Sequence, residues 1–171
     1  MRVIALLLFA GVAASAGEQV VVDFENGVPN RIPQWVEKGV TFTLAHEPQQ
    51  SKGKGMLMFV THLSSSHKGI AGAMATEPIP VRATFPKPVS AVTVAMWGST
   101  GAPALLEAFD AEGKVVDRKA LESVPGRKKP GEPVPIFTMT VSGRSIAYIQ
   151  FSGPREGEYL AAGELRFTPE E

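Results

Sequence analysis

Proline and glycine interrupt this chain so often that no segment keeps a helical apolar period for three turns, which restricts it to a β fold. From residue 17 onward a Pro or Gly recurs about every 8–12 residues. The short runs between them are rich in Val, Ile, Thr and Phe, the pattern of a sandwich or barrel. This spacing predicts strands at 18–25, 39–45, 55–62, 79–85, 90–97, 103–110, 114–120, 134–141, 145–152 and 158–167. In the run Ser90–Trp97, Val92, Val94 and Met96 share one face and Ala91, Thr93, Ala95 and Trp97 the other, so both faces are apolar enough for a central strand. Asp110 and Gly113 stand between two strand-like runs and predict a hairpin. Further on, Ala147, Ile149 and Phe151 are expected to face inward, with Tyr148 and Gln150 on the wetter side. The prolines of Phe85-Pro86-Lys87-Pro88 have no N–H to give to a ladder, so this stretch is expected at a strand end or sheet edge.

The first residues follow a different logic. Met1 and Arg2 precede the apolar run Val3–Ala10, and small residues end at Ala14-Ser15-Ala16, the order of a signal peptide cleaved after Ala16. The expected organisation is therefore a signal peptide at 1–16 and one domain at 17–171, secreted or periplasmic in a bacterium. The apolar run is shorter than the roughly 20 residues needed to span a bilayer, so no membrane insertion of the mature chain is expected. With no cysteine, the chain has no disulfide framework, thiol nucleophile or thiolate metal site. Lys and Arg number 17 against 17 Asp and Glu, a balance that gives no electrostatic reason to expect nucleic acid as a partner. The one basic run, Arg127-Lys128-Lys129, lies among prolines and glycines and is expected to be a solvated loop.

The order of the segments carries a resemblance. It runs from Asp23-Phe24-Glu25 and Gly39-Val40-Thr41-Phe42 through Phe85–Val94 and Leu106–Val116 to Ile146–Gly153 and Glu164-Leu165-Arg166-Phe167. This series resembles the galactose-binding-like jelly-roll domains of bacterial secreted and surface proteins and is similar to carbohydrate-binding modules. The resemblance implies an all-β fold: a single jelly-roll β-sandwich of two antiparallel sheets. It also implies a structural calcium ion held by acids near the two chain ends, here Asp23, Glu25 and Glu164. Only Glu164 of the usual acidic pair before the last strand is present, and calcium's six to eight oxygens would need backbone and water to complete them.

Carbohydrate is the ligand class the resemblance favours, with another surface protein as the other partner. Sugar recognition uses exposed aromatic rings with amide, guanidinium and carboxylate groups nearby. Candidates are Trp35, Trp97 and Tyr159, with Gln150, Arg155 and Glu158 as polar partners; each ring could equally serve the core. A second reading is copper binding within 46–74. There Met56, Met58, Val60 and His62 would line one strand face, with His46 or His67 as further ligands. A hydrolase built on Ser64, Ser65 or Ser66 beside His62 or His67 is the third, although Gly-x-Ser-x-Gly is absent. The expectation is a non-catalytic binding module.

Overall fold

The computed structural model describes residues 18–28, 30–47, 55–73, 79–153 and 160–170. The cleavage signal, Arg155, Glu158 and Tyr159 lie outside these residues.

Eleven strands follow one another with no helix among the described residues: β1 Val20–Val22, β2 Arg31–Ile32, β3 Trp35–Glu37, β4 Val40–Leu44, β5 Met56–Thr61, β6 Lys68–Ala73, β7 Val81–Gly98, β8 Ala104–Phe109, β9 Val115–Leu121, β10 Phe137–Ser152 and β11 Leu160–Pro169. All pairings are antiparallel and form one connected ladder. That ladder bends into two layers because β7 and β10 each serve both. The first half of β7 lies between β4 and the second half of β10, which pairs in turn with β8, and β8 with β9. The second half of β7 lies between β11 and the first half of β10. On its far side β11 meets β1 and β6, and β6 leads to β5 and β2.

The crossover is written in the sequence. The pairs formed by β7 stop at Thr84 and resume at Val89, so Pro86 and Pro88 fall where no ladder partner is required. Opposite them, β10 shifts register between Ser142 and Tyr148, with Ser145 at φ 57. Strands that change layers do so at such bends and bulges. The two segments expected at 79–85 and 90–97 are therefore one strand, as are those at 134–141 and 145–152. The same irregularity corrects the expected facing: Ile146 is buried with Ile149 and Phe151, while Ala147 is only half-buried. The short strands β2 and β3 and the Gly-rich β6 carry too little alternation to have been foreseen.

Alternation sets the core. Leu57 and Phe59 of β5, Val92, Val94 and Met96 of β7, Leu106 of β8, Val141 of β10 and Leu165 and Phe167 of β11 all point between the layers. Phe24 meets Phe42 edge-on at 5.1 Å and Trp35 meets Phe59 at 5.0 Å, contacts that join one layer to the other. The foreseen hairpin forms between β8 and β9. The Lys114 N–H donates to Asp110 Oδ1 at 2.8 Å, and Gly113 takes φ 82, which glycine adopts without steric cost.

Strand β9 is tied to β10 through Asp117. The backbone N–H of Ser142 holds the Asp117 carboxyl below the usual carboxylate range; partial burial opposes this, and the Arg118 N–H and the Lys119 charge add to the lowering. A carboxyl whose folded pKa is depressed stabilises the fold above its unfolded value and loses that contribution as pH falls through the folded one. Asp117→Asn is thus expected to lower the melting temperature at neutral pH and to match the parent once the pH has fallen well below the ordinary carboxylate range. Melting curves at both pH values check this, and a constant difference would contradict it.

Candidate functional site

Trp97 stands one residue before the end of β7, on the face turned away from the main core, and it is nonetheless only 1% exposed. Small residues make this burial feasible. Gly69 of β6 and Gly163 of β11 lie against the ring so closely that an added Cβ would stand 2.4 and 2.2 Å from it. Ala71 and Ala161 complete a second small cluster, against which Val60 and Val134 pack.

His62, at the end of β5, meets Trp97 edge-on at 5.1 Å. Its ring is fully used by the chain. The Ser64 N–H donates to Nδ1 at 3.3 Å, so the proton sits on Nε2, which donates to the Val134 carbonyl at 3.0 Å. The Ser65 hydroxyl gives its hydrogen to the same Nδ1 at 2.9 Å. Serine and histidine are therefore in contact, as a hydrolase would need, but the contact closes a turn. The His62 N–H reaches the His67 carbonyl at 2.8 Å and the His67 N–H reaches Ser65 Oγ at 3.4 Å.

Beside Trp97 opens a groove of about 390 Å³ lined by Asp23, Glu25, His67, Ala95, Trp97, Ile136, Gly163 and Glu164. Asp23 and Glu25 arrive from the end of β1, where Phe24 takes a left-handed φ of 59 and remains fully buried. A bulky residue in that conformation is rare. It turns the chain out of the strand while keeping its ring against Phe42. Asp23 Oδ1 accepts the Glu25 N–H at 3.2 Å, and Glu25 reaches His67 Nδ1 at 3.4 Å. Glu164 holds Arg166 at 2.6 Å. Ile136, 46% exposed, supplies an apolar wall.

The structure thus brings Asp23, Glu25, Glu164, His67 and Trp97 to one groove and leaves the other candidates among the described residues elsewhere. Trp97 forms the floor, and its burial leaves no ring face for a sugar to stack on. Trp35 is half-buried, donates to Glu37 Oε2 at 3.2 Å and packs on Phe59. Gln150 lies in the other layer, between Arg82 and Glu107 on neighbouring strands. His46 is exposed and bonds to the Glu47 carbonyl. Of the copper candidates, His62 has both ring nitrogens engaged by Ser64, Ser65 and Val134, and the His67 ring turns to Glu25. Among the described residues no three His, Asp or Glu side chains converge as a metal ion requires, so the three acids share the groove without forming a calcium cage. Ala95, Ile136 and Gly163 were not foreseen. Ala95 shares the strand face of Trp97, a signal the alternation did contain, whereas Ile136 and Gly163 reach the groove through pairing between distant segments.

No family model matches the chain, and no curated protein matches it in sequence. Among solved structures, a cleaved adhesin domain of Lys-gingipain from Porphyromonas gingivalis matches with a TM-score of 0.54 at 12% identity, covering 91% of this chain and 100% of that one. The CBM36-1 domain of a multidomain xylanase from the hindgut metagenome of Trinervitermes trinervoides gives 0.43 at 6% identity, covering 90% of this chain and 99% of its own. TmCBM61 in complex with β-1,4-galactotriose gives 0.41 at 14%, covering 86% and 94%. At these identities the similarity is one of fold, and the adhesin domain carries it: this chain is an all-β sandwich.

Proposed function

We propose that this protein is an exported, non-catalytic binding module that takes a carbohydrate in the groove beside Trp97. The observation that carries the reading is the convergence of Asp23, Glu25 and Glu164 with the apolar surface of Ile136 and Ala95 in one cavity large enough for a small ligand. Carboxylates accept hydrogen bonds from sugar hydroxyls, and an apolar wall suits the C–H face of a pyranose. In this reading the three acids orient hydroxyl groups and do not ligate calcium. The fold shared with an adhesin domain supports a binding role, and the saccharide named with TmCBM61 suggests a β-linked galactan as the first probe. Among the described residues no helix is long and apolar enough to cross a membrane.

Isothermal titration against a panel of oligosaccharides, β-1,4-galactotriose included, tests the proposal. Asp23→Ala and Glu164→Ala should each weaken binding by about tenfold or more, the effect of losing a hydrogen bond to a charged group. Absence of any glycan ligand, or binding indifferent to both substitutions, would overturn it.

A further inference from the structure

Strand β10 changes neighbours halfway along. Its second half, Tyr148–Ser152, lies between β7 and β8, but its first half, Phe137–Ser142, pairs with β7 on one side alone. In an antiparallel ladder, alternate residues turn both N–H and C=O to the same side. The Ser142 N–H donates to Asp117 Oδ2 at 2.9 Å, away from β7. Thr140 and Thr138, in unbroken register with it, therefore turn their groups outward as well. The side chains agree. Thr93 Oγ1 and Thr140 Oγ1 approach to 2.9 Å, the close spacing of a pair that exchanges no backbone bonds. Two donors and two acceptors thus face out of the sheet, and among the described residues no strand pairs with them.

Exposed edges are normally guarded by lysine, proline or a bulge, which stop another strand from joining. The segment Phe137-Thr138-Met139-Thr140-Val141-Ser142 has no charge, no proline and no register shift within it. Beside it lies a second groove, of about 490 Å³, walled by Lys119, Leu121 and Pro125 on one side and Phe137, Met139 and Thr140 on the other. Among the described residues that line it, Lys119 is the charged one. Among the described residues, none lines both this groove and the one beside Trp97.

We propose that this edge binds an extended peptide segment of another protein as an added strand. The open backbone groups of Thr138 and Thr140 require a partner that offers amides in extended register. Leu121 and Met139 call for alternate apolar side chains, and Lys119 calls for an acidic residue.

Fluorescence polarisation of the full chain with the labelled peptide Glu-Val-Thr-Val-Thr-Val-Glu tests the site. Binding should saturate, and it should vanish when the peptide is N-methylated along both edges. Lys119→Glu should weaken it by about tenfold, by turning an attraction into a repulsion. Thr140→Pro removes a donor that points away from β7, so the chain should stay folded and lose the peptide, while Thr140→Val should keep it. Should Thr140→Pro fail to fold, the methylated peptide decides alone. Equal binding of the methylated peptide, no saturation, or sedimentation showing a second copy of the chain on this edge would each overturn the proposal.

Discussion

Trp97→Ala is expected to destabilise the protein by about 3–5 kcal/mol, the range for removing a large buried aromatic side chain. The loss should sit at the upper end, because the ring's surroundings cannot collapse into the space it leaves. Gly69, Gly163, Ala71 and Ala161 have little or no side chain to move inward, and His62 is held in place by the Val134 carbonyl. The groove should lose its floor at the same time, so glycan affinity falls even where the variant is still folded. Urea unfolding read by circular dichroism measures the first effect and titration the second. Trp35→Ala is the natural comparison. Trp35 is half-buried at the margin of the main core, and its removal should cost clearly less. Equal losses for the two would mean that the floor of the groove has no special rigidity.

The complementary change adds atoms. Gly163→Ala and Gly69→Ala should each cost about 1–3 kcal/mol through overpacking, and they should respond differently to a smaller ring. At Gly163 all three nearest atoms to an added Cβ belong to the far edge of the Trp97 indole. Trp97→Phe removes part of that edge, so the pair Gly163→Ala with Trp97→Phe should be less harmful than the sum of the two. At Gly69 the added Cβ would also stand 2.7 Å from the Ala162 carbonyl oxygen, which is backbone and cannot rotate away. The shorter ring should therefore rescue Gly163→Ala more fully than Gly69→Ala. Denaturation of the single and double variants gives both coupling terms, and equal rescue at the two sites would contradict the geometry.

What could be read in the chain beforehand depended on how local each signal is. The β8–β9 hairpin is announced by Asp110 and Gly113 because its hydrogen bonds close within a few residues. The alternation of Val92, Val94 and Met96 identifies a strand because a pleat needs no distant partner to show itself. That β7 and β10 each run through both layers is not visible this way, since a bend in mid-strand and a break between strands leave the same prolines and the same glycine in the sequence. The groove was legible by halves. Asp23, Glu25 and Glu164 came forward together through a resemblance, but for a calcium ion they do not cage. The role of Trp97 as a floor could not be read, because its cover comes from Gly69 on β6 and Gly163 on β11, and only the folded chain sets β11 between β6 and β7.

Strand β11 has a consequence in time. It is made after the other ten described strands, yet it lies inside the sheet, with β7 along one side and β1 and β6 along the other. Until residues 160–169 are available, among the described residues β1 has no strand partner, β6 has its hairpin with β5 alone, and the second half of β7 stays open on one side. Each of these waits for a segment far along the chain, the kind of closure that makes folding slow. A chain made from its N-terminus is thus obliged to keep these strands waiting until residues 160–169 arrive.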